Sequence, residues 1–291
     1  MGLSSAASCR LCRNETTLVQ SHLVPAFVAR WIKATSATGL FRGFEDPNQR
    51  RQDFPTLPFL CTECEQRFST AEKRFAELIF VPFHGGRTRF FYEDWLLYFA
   101  VSLAWRCLAA SKREGLQDHP HHAAPVDLAC DAWADFLLGR SDRVGPYRFN
   151  LFFTPFGPRS DARLPDGLNW YLREADMTPV YSNTRAAVYA KLPCMFFWAS
   201  IVPPDPGGWR GTRIAAHGTI RAKNQIMKDG AVAEFLMNRA DAIFKKINDL
   251  SPTQKRRIED TVRRDPDRVL SSHSFEAWLH DESLRHENRL K

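Results

Sequence analysis

The 291-residue sequence predicts an α+β protein: a zinc-stapled module first, then helices, an antiparallel sheet and closing helices. Three observations predict it. Two Cys-x-x-Cys pairs, Cys9–Cys12 and Cys61–Cys64, lie in the first quarter of the chain. The apolar pattern is helical up to about Arg140, rich in aromatic and β-branched residues as far as Arg221, and helical again from Ala231. Hydrophobic residues make up 44% of the chain and Phe alone numbers 22, which supplies a sizeable core and excludes a disordered chain.

Two intervening residues let both thiolates of a tight knuckle reach one ion. Two such knuckles supply the four sulfurs of a closed tetrahedral zinc site. Residues 1–83 are read as this module. Between the knuckles, Ala26 to Ala34 has helical spacing with Phe27, Val28, Trp31 and Ile32 on its apolar face, and Pro25 suits a first turn. Thr38 to Pro55 is a polar loop carrying Arg42, Arg50 and Arg51. After Cys64 the pattern is helical through Phe80, with Phe68, Phe75, Leu78 and Ile79 on the buried side.

Pro82 and the Gly85-Gly86 pair mark a boundary, beyond which residues 84–291 form a larger α+β domain. Its first helices span residues 93–138: Glu93 to Ser111, then Val126 to Leu138. The loop between them, Gln117 to His122, cannot continue a helix through Pro120. His119, His121 and His122 read there as an exposed loop rather than a metal site, because no cysteine or suitably spaced carboxylate accompanies them. Four or five strands are expected within residues 147–221, at Tyr147 to Thr154, Leu168 to Arg173, Ala186 to Val202 and Thr212 to Arg221, with an exposed turn from Pro203 to Gly208. Helices return over 231–284: Ala231 to Leu250, Thr253 to Arg264 behind a Ser251-Pro252 cap, and Ser274 to Leu284. Cys107, Cys130 and Cys194 stand singly among apolar residues and read as buried core thiols.

Lys and Arg outnumber Asp and Glu by 40 to 33, a net charge of +7 that favours a polyanionic partner. Met1-Gly2-Leu3-Ser4-Ser5 has neither the basic nor the apolar region of a secretory signal, and Trp95 to Trp105 is too short to span a bilayer. A cytoplasmic, reducing location without membrane contact is therefore expected, where paired cysteines hold metal rather than disulfides.

A four-cysteine site whose second knuckle opens a helix is the skeleton of a treble clef. Between the knuckles stands Ser21-His22-Leu23-Val24-Pro25. Cys9, Cys12, His22, Pro25, Cys61 and Cys64 together resemble the zinc-bearing HNH, or His-Me finger, endonucleases, whose core is a ββα-metal unit. The resemblance covers about the first 80 residues. It implies a metal-dependent endonuclease hydrolysing phosphodiester bonds in nucleic acid, DNA rather than RNA, with a place in antiviral defence. It implies His22 as the general base and Glu65, directly after Cys64, as a ligand to a catalytic Mg²⁺ or Mn²⁺. Ser21 stands where the family carries an acidic ligand. Asp53 is the first choice to replace it, ahead of Glu45 and Asp46, and Asn48 is the candidate for the family's middle Asn. Arg42, Arg50 and Arg51 would contact phosphates. Two other readings stand beside this one. Glu65 also suits the positive end of a helix, and without its acidic ligand the module becomes a non-catalytic treble clef that binds nucleic acid or a protein partner. Alternatively, a small-molecule or docking function resides in the C-terminal half.

Overall fold

The computed structural model describes residues 7–42, 46, 48–111, 114–157 and 164–290. A short hairpin, β1 (Ala7–Ser8) with β2 (Glu15–Thr16), carries the first knuckle. Strand β3 (Leu18–His22) then pairs antiparallel with β6 (Thr56–Cys61), Leu18 opposite Cys61 and His22 opposite Thr56. Between them lie α1 (Ala26–Ala34) and the two-residue strands β4 (Phe41–Arg42) and β5 (Arg50–Arg51). Helix α2 (Thr62–Phe75) leaves β6 directly and widens into a π-helical turn over Ala76–Phe80 before α3 (Val81–His84).

Strand β7 (Arg89–Tyr92) leads into α4 (Asp94–Ser111), the pivot of the molecule. Trp95, Leu96, Phe99 to Leu108 are all buried, so α4 is covered on every side, as an all-round apolar helix must be. On one side it meets the cysteine module: Trp105 packs 5.6 Å from Phe59 and 6.1 Å from Phe68. On the other it meets a sheet, with Phe99 stacked on Phe75 at 4.2 Å and Phe197 at 5.5 Å from both rings. One continuous core of buried residues consequently runs from Cys9 to Ile220.

After two 3₁₀ turns comes α5 (Ala123–Leu137), then the antiparallel sheet. Its order is β8 (Arg148–Phe153), β11 (Met195–Val202), β10 (Arg185–Leu192), β9 (Asp176–Ser182). Leu151, Val188, Phe197 and Ala199 face α4, whereas Phe152, Tyr189, Phe196 and Trp198 face Val232, Phe235 and Leu236 on α7 (Gly230–Asn248). Burial on both faces explains why these strands are continuous apolar runs instead of alternating ones. The chain closes with α8 (Pro252–Arg264), α9 (Pro266–Leu270) and α10 (His273–Leu290). Ser251 caps α8 as expected, its hydroxyl accepting from the Gln254 N–H at 3.4 Å.

Four expectations about the second half need correction. Leu168–Arg173 is not a strand but a helix, α6. Its N-terminus is capped by the Asp281 carboxylate of α10, which accepts from the backbone N–H groups of Asn169 (2.8 Å) and Trp170 (2.9 Å). Ala186 to Val202 is a hairpin, turning at Pro193 and Cys194, the latter at φ 56°. Within Thr212 to Arg221 only β12 (Gly218–Arg221) is a strand, and it pairs with β7 outside the main sheet. The histidine loop is only partly exposed: His122 is buried with its Nε2 2.8 Å from the Ser182 carbonyl, while His121 is exposed. Cys107 and Cys194 are buried as expected, and Cys130 is half-buried.

Candidate metal centre and the His22 strand

Each knuckle is built by its backbone. In the first, the Arg13 N–H donates to the Cys9 carbonyl (2.9 Å) and the Cys9 N–H to the Asn14 carbonyl (2.9 Å). This reversal requires Arg13 to sit at φ 66°. The Arg10 N–H donates to the Phe59 carbonyl at 3.1 Å, fastening the knuckle to β6. The second knuckle is the strand-to-helix turn itself. Cys61 is extended at φ −77°, ψ 162°, and Cys64 lies in the first turn of α2.

The ligand atoms of Cys9, Cys12, Cys61 and Cys64 all lie within 4.8 Å of one another. Cys12 Sγ and Cys61 Sγ are 3.9 Å apart. That is about twice the ~2.0 Å length of a disulfide, yet close to the ~3.8 Å edge of a tetrahedron with sulfur about 2.3 Å from a central zinc. The four cysteines can therefore hold one metal ion such as zinc. Among the described residues they form the only group of three or more such ligands drawn together in this way.

Electrostatics favour a cation here. Burial pushes the Cys9 thiol up, but N–H groups of Cys12, Cys61 and Leu11 outweigh it and bring the value down to about 7. Cys64 is pushed strongly up by burial and by the neighbouring sulfurs of Cys61, Cys9 and Cys12. Cys12 is raised by burial as well. Four thiolates this close repel one another, and only a cation at their centre lets all four ionise together.

His22 ends β3, half-buried, at the end of the hairpin remote from Cys61. Its Nε2 lies 3.3 Å from Asp53 Oδ1, but the contact is off-line and Nε2 has no aligned hydrogen-bond partner. The Phe54 N–H donates to the same Oδ1 at 2.9 Å. The His22 carbonyl is held separately: Arg106 Nη1, on α4, donates to it at 2.9 Å and to Glu72 Oε1 at 2.8 Å. Arg106 is 1% exposed and its guanidinium lies 5.2 Å from the Phe68 ring centroid.

Glu72, not Glu65, thus reaches the Arg106 contact beside His22. Glu65 is half-buried in the first turn of α2 with Glu63, where a carboxylate suits the positive end of the helix. Seven residues at 1.5 Å each put about 10 Å of helix between the two glutamates. His22, Asp53 and Glu65 do not form a second ligand cluster by the criterion the cysteines satisfy. Ser21 is fully buried, so no exposed polar ligand stands at that position. Asp46 accepts from the Asn48 N–H, and Glu45 lies outside the described residues.

The loop arginines are tied to the C-terminal helices. Arg42 Nη2 and Arg50 Nε both donate to Gln254 Oε1 on α8, at 3.1 and 3.3 Å. Arg42 is held below its usual value by burial and by the adjacent Arg50. Arg51 lies opposite Phe41 in the β4–β5 ladder. Asn48 accepts from the Ser251 N–H and donates to the Asp249 carbonyl, so its amide fastens the loop to the α7–α8 connection. Sequence reasoning did not find Arg106; the signal was a single arginine inside an otherwise apolar helix, which requires a buried partner.

No protein-family description, curated protein or solved structure matches this chain. Among the described residues, no helix is long and apolar enough to cross a membrane.

Proposed function

We propose that the chain is an HNH-type endonuclease that hydrolyses phosphodiester bonds in nucleic acid, DNA in preference to RNA, with Zn²⁺ in the four-cysteine site as structural metal. The observation that carries the reading is the β3–β6–α2 arrangement, with His22 at the strand end and the Asp53 carboxylate 3.3 Å from its Nε2. In this reading Asp53 orients the imidazole and stabilises its protonated form. His22 Nδ1 accepts the proton of the attacking water, a transfer worth about 10²–10⁴ in rate. Arg106 positions His22 by fixing its carbonyl, and Arg42, Arg50 and Arg51 take the phosphates. A Mg²⁺ or Mn²⁺ ion would supply charge stabilisation at the phosphate. Its expected ligands are incomplete here, since Asp53 is engaged with His22 and Glu65 joins no cluster with them. No step is routed through that ion. A role in antiviral defence belongs to the same proposal through the family resemblance alone.

A second reading, a non-catalytic zinc module that binds nucleic acid or a protein, is favoured by one observation: the acidic ligand position is Ser21, which is completely buried. One experiment separates the two. Supercoiled plasmid is incubated with the protein and Mg²⁺ or Mn²⁺ beside His22→Ala and Asp53→Asn variants. Nicking by the parent that disappears in His22→Ala, at equal zinc content, supports the nuclease. Binding without nicking, or nicking that survives the substitution, transfers the case to the second reading.

A further inference from the structure

A cavity of about 460 Å³ lies where the loop after α1 meets the C-terminal helices. Phe41, Trp170, Ile258, Val262, Phe275 and Trp278 make its walls predominantly apolar. Its volume is in the range that holds a small organic molecule. Val262 is 38% and Trp278 45% exposed, which places the mouth between α8 and α10.

The charged groups in this wall are two guanidiniums, Arg42 and Arg173, and one carboxylate, Glu174. Arg173 is 2% exposed. Its Nη1 donates to Glu174 Oε1 at 3.2 Å, and its Nη2 to the Ile32 carbonyl (2.7 Å) and Thr35 Oγ1 (3.1 Å). The Nε–H has no partner among the described residues. A buried cationic donor left unsatisfied is costly, and a ligand acceptor relieves that cost. Helix α8, which lines one wall through Ile258 and Val262, is itself basic: Lys255, Arg256, Arg257, Arg263 and Arg264 are all exposed on it, against Glu259 and Asp260.

We infer that this cavity binds an amphipathic anion, a small molecule with an aliphatic or aromatic body and a carboxylate at one end. The body displaces water from the apolar walls, and the carboxylate accepts from Arg173. A nucleobase fits less well, because its edge needs several hydrogen-bond partners and these walls are mainly carbon. The inference does not rest on the nuclease reading, since it involves neither the four cysteines nor His22.

The test titrates the 291-residue, zinc-loaded protein with decanoate, decanol and decyltrimethylammonium, following tryptophan fluorescence and calorimetry. Trp170 and Trp278 in the wall make fluorescence a direct reporter. Decanoate is expected to bind saturably at one site, roughly tenfold or more tighter than decanol, the increment of a charge-assisted hydrogen bond. The ammonium should bind weakest. Ile258→Phe, which fills the cavity from α8, should weaken decanoate by about tenfold or more with zinc content and circular dichroism unchanged. Val262→Phe at the mouth is the second variant should the first fail to fold. Equal affinity for decanoate and decanol, preference for the ammonium, saturable binding by none of the three, or unchanged affinity in the filled variants would each overturn the inference.

Discussion

Between Leu18 and Cys61 the chain builds a two-stranded ladder, and between Arg148 and Val202 a four-stranded one. The larger sheet buries both faces, against α4 and against α7, and needs no cross-link. The smaller ladder has one helix across it and begins beside a hairpin whose strands are two residues each. A two-stranded unit of that size is marginal in water. A metal ion held by the four sulfurs, which lie within 4.8 Å of one another, would supply what its apolar area cannot. The contrast teaches that one chain can set a four-cysteine cluster able to hold a metal in one region against a carbon-packed sheet in the other, with α4 as the shared wall.

The contrast is most strongly tested by removing a sulfur. Cys64→Ser should take bound zinc from one equivalent to none and forfeit a coupled binding free energy of roughly 10–16 kcal/mol. Hydrogen exchange should show protection collapsing in β3, β6 and α2. Zinc retained at full occupancy, with protection intact, would break the comparison.

Cutting the carbon-held region should cost less and spread further. Phe197→Ala removes a ring that packs on both Phe75 and Phe99, and should cost about 3–5 kcal/mol in denaturant unfolding. Zinc content should stay at one equivalent, which separates the two kinds of support. Arg106→Met probes the wall between them. It strips Glu72 and the His22 carbonyl of their shared donor, and a loss of about 3 kcal/mol is expected. Glu72→Gln should cost less, because the amide still accepts from the guanidinium.

Acidification gives a smaller, pH-coded effect. His84 is pushed down to about 3, chiefly by burial and then by His273. The folded state therefore resists its protonation while the unfolded chain takes up a proton below about pH 6.5. A depressed histidine contributes stability that is present above the unfolded value and lost as pH falls toward the folded one. At pH 5.5 this amounts to about 1.4 kcal/mol, and comparing melting curves of the parent and His84→Phe across pH 7.5 to 5.5 isolates it. The smallest change is Ser251→Ala, which removes the α8 cap and should cost about 1 kcal/mol.

Much of the metal region was legible because its signals are local. Cysteine spacing, Pro25 before α1 and the helical stripe after Cys64 each declare themselves within a few residues, though Leu78, expected on the buried side, is exposed because the helix widens to a π-turn over Ala76–Phe80. The sheet was harder to divide. Ala186 to Val202 is apolar almost throughout because both faces are covered, and its turn is hidden in Pro193-Cys194, where a non-glycine adopts the left-handed conformation. β9 escaped because Pro179 interrupts its pattern, a residue that an edge strand tolerates. Leu168–Arg173 looked like a strand because its residues are apolar and aromatic. Its helical state rests on Asp281, which lies 112 residues away in the chain. At the candidate site, Asp53 was expected as a metal ligand in place of the missing acidic residue, and it lies instead 3.3 Å from His22 Nε2. The Arg106–Glu72 ion pair at 2.8 Å joins α4 to α2 across a long stretch of chain, so no local pattern announces it. Glu65 was assigned from the motif alone, and helix geometry separates it from the Arg106–Glu72 contact.

The docking of the arginine loop onto α8 also sets an order of events during synthesis. The four cysteines and β3–β6–α2 leave the ribosome early, yet Arg42 finds Gln254 only across 212 residues of chain, and Ala37 finds Ser274 across 237. At 5–20 residues per second, roughly 10–50 s separate emergence of the loop from emergence of its anchor. A nascent chain can therefore carry its cysteine knuckles before the arginines of that loop are held in place. Any chemistry that needs those arginines fixed is withheld from the unfinished polypeptide, a delay written into the topology itself.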